Sequence, residues 1–203
     1  MGHLLAIRAV AVVFAAFSAI AYGIGDYCGG RSSRGADSFV VTFVGQLFSL
    51  VLLAFALVAF GDAVPPLRDW LWGAAGGVGG FIGLSLFYLA LSKGSMTVVA
   101  PLTAMVSSIL PVVAGVILGE RPNTLGFLGI VLALGGIALV TGAVGIAHQK
   151  TSASIALLAV LGGCGFGWMY VCLDRAHEVA GMWPLLGARI ASISIAGAVL
   201  LAR

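Results

Sequence analysis

Continuous apolar runs, each close to the roughly 20 residues that span a hydrocarbon core, leave this chain few ways to fold. They cover residues 5–25, 39–60, 70–91, 97–118, 126–144, 153–173 and 183–201. Short connections between them hold nearly all the charge. The runs do not alternate between polar and apolar residues, so they predict helices rather than the strands of a transmembrane barrel. A soluble domain is excluded as well: 61% of the residues are hydrophobic, 8% are charged and the mean hydropathy is +1.17. The predicted fold class is an all-α polytopic membrane protein with about seven transmembrane helices.

The net charge of +3 comes from ten basic residues scattered over every connection. They form no patch, which argues against a nucleic-acid partner and for ordinary membrane flanking. Basic residues also fail to orient the chain. If the N-terminus is cytoplasmic, Arg8, Arg68, Arg121 and Arg175 fall inside and Arg31, Arg34, Lys93 and Lys150 outside, a tie. The first run is longer than a signal-peptide core, and "GIGDYCGG" is a poor cleavage site, so a retained helix is expected. Ala6 stands where a myristoylation signal needs Ser or Thr. Cys28, Cys164 and Cys172 have no metal-ligand spacing, and neither a metal nor another cofactor is expected. His3, His148 and His177 sit in connections or at ends, so no intramembrane histidine relay is visible. An enzyme would need acid pairs or a nucleophile with its base near a membrane face. Only scattered single charges are present, and no catalytic role is expected.

A faint repeat runs through the chain. "AYGIGDY" in the first run and "GFGWMYV" in the sixth lie about 143 residues apart, the following helices start at matching offsets, and Gln46 aligns with Arg189. A period of five helices, being odd, inverts the second copy in the membrane, and inverted repeats mark transporters whose site lies near the midplane. Residues 5–144 would form one repeat and 153–203 the first two helices of another. The end at "AVLLAR", directly after an apolar run, reads as a truncation of the second copy.

The stretch "VVAPLTAMVSSILPVVAGVILGERPN", residues 98–123, carries the most information. Pro111 within a span frees the carbonyl four residues back, at Ser107, and kinks the helix or opens it locally. In lipid that is tolerated only where the freed group meets protein or a wet cavity. At helical spacing Ala100, Thr103, Ser107, Pro111, Ala114 and Gly115 share one small, polar face. Such a face suits the lining of a cavity to which Thr103, Ser107, Ser108 and Pro111 contribute. The other reading is close helix packing with hydroxyls bonded back into their own helix. Pro101 is expected in the first turn, Gly119 as the helix stop, and Glu120 as a structural residue at the helix end. Gly73, Gly76, Gly77, Gly79, Gly80 and Gly83 form a ridge on the third helix, which fits close packing and not a dinucleotide site.

Residues 88–140, with "YLALSKGSMT", "SSILPV", "LGERPN" and "LGIVLALGGIAL", resemble the end of a repeat in the EamA-type transporters of the drug/metabolite transporter superfamily. The resemblance implies a ten-helix plan of two inverted five-helix repeats with both termini cytoplasmic. It implies export or exchange of small metabolites or drugs by alternating access, in a bacterial inner membrane. The implied partners are lipid and a small-molecule solute, and a homodimer stays open. This chain lacks the last three helices of that plan, so a non-transporting scaffold or an inactive fragment is the alternative.

Arg189, six residues into its helix, either snorkels to the interface or faces inward as a counter-ion for an anionic substrate group. The resemblance favours the second, and Gln46 faces the same interior by symmetry. Tyr22, Tyr88, Trp168 and Tyr170 are candidates for cavity walls, with an interfacial belt or plain packing as the other reading. Asp26 is expected at the end of the first helix and is the best candidate for proton coupling, although a solvated helix-end acid has the same signature.

Overall fold

The computed structural model describes residues 2–60, 63–140 and 152–202. Its regular elements among these residues are all helical: α1 (Gly2–Ser32), α2 (Ser38–Phe60), α3 (Leu67–Lys93), α4 (Met96–Ile117), α5 (Thr124–Val140), α6 (Ala153–Asp174), a 3-10 turn (Glu178–Ala180) and α7 (Trp183–Leu201). Six of the helices are long and apolar enough to cross a membrane, while the apolar stretch of α5, Thr124–Leu139, is shorter. The expected end of the fifth helix at Val144 lies outside the described residues, as do His148 and Lys150.

α3 is the centre of the bundle and packs most extensively on α6 and α7. Its glycine ridge is the reason. A Cβ on Gly73 or Gly77 would collide with the backbone of α7 at Pro184 and Ala188. Gly83 and Gly165 bring α3 and α6 together in the same way, with a Cβ on Gly165 falling 2.6 Å from the Gly83 nitrogen. Lipid tails are as apolar as leucine, so association rests on such close backbone approach and on hydrogen bonds between helices. One of these bonds runs from Ser192 Oγ on α7 to the Gly77 carbonyl, at 2.8 Å. Around this spine α4 packs on α6 and α2 on α7. Near the α3 C-terminus, Phe87, Tyr88, Ala90, Leu91, Val99 and Ala159 form a buried apolar cluster.

Two of the differences from the expected boundaries bear on the candidate residues. α1 does not stop at Gly25 but runs on to Ser32, which moves Asp26 from the helix end to its interior. Gly29 and Gly30, within this extension, are packing sites: they lie beneath Tyr88 and Leu91 of α3, and a Cβ on either would overlap those side chains. α4 starts at Met96, so Pro101 sits in its second turn and not its first. Pro111 is accommodated inside the helix, which continues to Ile117. There Gly119 adopts φ 95°, the left-handed conformation glycine enters most readily. The Glu120 N–H then donates to the Gly115 carbonyl at 2.9 Å, closing the helix end as a Schellman-type turn.

Connectivity places the N-terminus of α3, the C-termini of α4 and α6 and the N-terminus of α7 at one end of the bundle. Trp70 and Trp183 pack there with ring centroids 5.3 Å apart and planes tilted by 50°, an arrangement suited to the membrane interface.

Candidate substrate site

Seen from α7, the site follows from side-chain spacing. Gly187 and Ala188 are buried against α3, so the next residue, Arg189, turns about 100° away from that contact, toward α2. On α2 the buried residues are Ser38, Thr42 and Gln46, one stripe at four-residue spacing. Thr42 satisfies its hydroxyl on the Ser38 carbonyl at 2.8 Å. Gln46, 3% exposed, uses its amide oxygen to accept a short hydrogen bond from Arg189 Nη1. The two positions aligned by the faint repeat, 143 residues apart, therefore touch.

Gln46 accepts without neutralising. A guanidinium carries five N–H donors and a full positive charge. No carboxylate among the described residues lies within ion-pair distance of Arg189. A half-buried cation paired only with a neutral amide is expensive within a membrane and is a functional candidate for that reason.

α1 completes the surroundings. Tyr22 lies within electrostatic reach of Arg189 and Tyr170, and Asp26 within reach of Tyr88 and Tyr170. Around Arg189 the structure thus brings Gln46 of α2, with Tyr22 of α1 nearby, while Asp26 and Tyr88 lie further along the bundle: Tyr88 is eleven residues beyond the Gly77 that meets Ala188, about 16 Å along α3. Tyr88 is buried, whereas Tyr22 is 68% exposed on the lightly packed α1.

Other candidates stand elsewhere. Thr103 faces α6 and donates to the Ala159 carbonyl at 3.0 Å. Ser107 and Ser108 both donate to the Ala104 carbonyl of their own helix, at 3.0 and 2.8 Å. Trp168 Nε1 donates to the Ala75 carbonyl of α3 at 3.1 Å. Thr103 and Trp168 thus join helices, while Ser107 and Ser108 are satisfied within α4. Pro111 borders a separate cavity between α4 and α6, and Glu120 is at that cavity's mouth.

One constellation escaped the sequence reading. Asp69, fully buried in the first turn of α3, accepts from the His177 backbone N–H at 3.1 Å and lies 3.0 Å from His177 Nδ1. It ties the start of α3 to the connection between α6 and α7. An acid in the first turn of a strongly apolar helix favours the helix dipole and was the available signal. Its partner, more than 100 residues away, left no local trace.

The family model described as the EamA-like transporter family matches residues 9–142, more than half of the chain. No curated protein and no solved structure matches it.

Proposed function

The chain belongs to the EamA-like transporter family, and from that premise we propose that it exports or exchanges small organic solutes carrying an anionic group. Members of this family are transporters of small molecules and not enzymes, and the apolar helices make the protein an integral, multi-pass one. The observation that carries the finer reading is the Arg189–Gln46 contact. Two residues related by a pseudo-two-fold axis touch only if both lie close to that axis. Residues 5–144 and 153–203 then act as one complete inverted repeat and part of a second, with the solute bound where they meet.

In this reading Arg189 binds a carboxylate, sulfonate or phosphate of the solute through the donors that Gln46 leaves open. Tyr22 walls the site beside Arg189, Tyr88 borders the path further along α3, and Asp26 on the loosely packed α1 is the group whose protonation couples transport to a proton gradient. Thr103, Ser107, Ser108, Pro111 and Trp168 border the path as helices rearrange during alternating access. Efflux across a bacterial inner membrane, with a homodimer as one arrangement of the protein, completes the proposal.

The test is flux in liposomes, with a panel of anionic, zwitterionic and cationic solutes and with the Arg189→Gln variant beside the wild type. Wild-type flux of anionic members, reduced about tenfold or more by Arg189→Gln, is expected, which corresponds to at least about 1.4 kcal/mol of lost interaction. Equal flux of the same solutes by both proteins would remove Arg189 from the site.

A further inference from the structure

α4 and α6 are in close contact through their middle turns, where Gly163 meets Thr103 and Val106 and Gly167 meets Leu110. Beyond Pro111 the two helices part and leave a cavity of about 550 Å³, within the size range of small-molecule sites. Its inner wall is apolar, built by Val112 and Val116 of α4, Ile130 of α5 and Val171 of α6. Its mouth is charged, formed by Glu120, Arg121, Asp174 and Arg175. The mouth lies at the same end of the bundle as the paired Trp70 and Trp183, the level of lipid headgroups.

The charges at the mouth are only loosely paired with one another. Arg175 Nη2 lies 4.0 Å from Glu120 Oε1 and 3.8 Å from Asp174 Oδ2, at the long limit of ion pairing. The Glu120 carboxylate is folded back over the cavity wall, because the left-handed Gly119 turns the chain and Gly115 has no Cβ to obstruct it. A Cβ at Gly115 would fall 2.6 Å from Glu120 Oε2. Two guanidiniums and two carboxylates thus surround an opening whose interior is hydrocarbon.

We propose that this cavity binds a phospholipid whose headgroup carries a primary ammonium next to its phosphate. The phosphate meets Arg175 and Arg121, as planar guanidiniums favour. The ammonium donates to Glu120 and Asp174, and the upper acyl chain lies along the valines and Ile130. The balance of charge selects this chemistry. An anionic headgroup would satisfy the arginines but face two carboxylates, whereas a quaternary ammonium has no N–H to give them. Tyr170 and Pro111 border both this cavity and the proposed solute path, but lipid occupancy needs no flux and is read separately from it.

Native mass spectrometry of the purified full chain tests it, with dioleoyl phosphatidylethanolamine, phosphatidylcholine or phosphatidylglycerol added at equal concentration. The ethanolamine lipid is expected to be retained at least about fivefold over the other two. Arg175→Gln and, separately, Glu120→Gln should each reduce that retention severalfold. Glu120 is a solvent-facing side chain, so its variant keeps the test valid if Arg175→Gln fails to fold. Equal retention of the three lipids, or retention unchanged in the folded variants, would overturn the proposal. So would water-soluble phosphoethanolamine displacing the lipid at equal concentration, which would make the cavity a site for a free solute.

Discussion

The α3–α6–α7 spine and the α1 margin are both helical and apolar, yet they are held in opposite ways. Over the most apolar stretch of α3, 56% of residues are buried inside the protein, against 6% for α1. α3 presents glycines to two neighbours and lets their backbones approach, while α1 presents Val12, Val13, Phe14, Phe17 and Ile20 outward and is fastened to α3 at Gly29 and Gly30. Hydrophobicity does not separate these helices. What separates them is whether a small residue meets a partner, because within lipid close packing takes over from the hydrophobic effect. The candidate substrate site lies on the seam between them, with Arg189 fixed by the spine and Tyr22 and Asp26 carried by the margin. An element that must move during transport is expected at the weakly packed end of the range.

That contrast can be broken most directly at Gly77. Gly77→Leu drives a side chain into the α7 backbone and is expected to cost about 3 kcal/mol or more, seen as loss of monodisperse protein or a large fall in melting temperature. A wild-type melting curve would mean that the ridge is not what holds the spine. A smaller effect is expected at the spine's end. Asp69→Ala leaves the His177 N–H without its acceptor and should cost about 2 kcal/mol, measurable as earlier thermal unfolding. The smallest belongs to glycines that meet nothing. Gly135→Ala on α5 adds a methyl to open space and should change stability by less than about 0.5 kcal/mol in the same assay. A large loss there would show that α5 is gripped by something the spine-and-margin contrast omits.

Much of this was legible in the sequence. The apolar runs gave the helices nearly to the residue at Trp183, and the glycine ridge of α3 announced close packing. Glycine content alone did not say where partners would be: Gly129, Gly135 and Gly136 of α5 carry the same signal as Gly77 and touch nothing within 4 Å. Gly29 and Gly30 show the other case. The apolar run ends at residue 25, but α1 continues through both glycines, where Tyr88 and Leu91 occupy the space their missing side chains leave. Helical periodicity assigns residues to faces and leaves open which helix each face meets. For that reason the polar face of α4 was compatible with a cavity and with packing, until Thr103 was seen to bond the α6 backbone. The alignment of Gln46 with Arg189 could be read from the chain, but their contact required the fold.

That contact supports the most decisive measurement, flux in liposomes for the exchange variant Gln46→Arg/Arg189→Gln beside the single variant Arg189→Gln. If the two positions are equivalent across a pseudo-two-fold axis, moving the guanidinium from one to the other restores flux of anionic solutes to within a few-fold of wild type, while the single variant remains about tenfold down or worse. An exchange variant that folds and is as inactive as the single one would contradict the axis and the site placed on it.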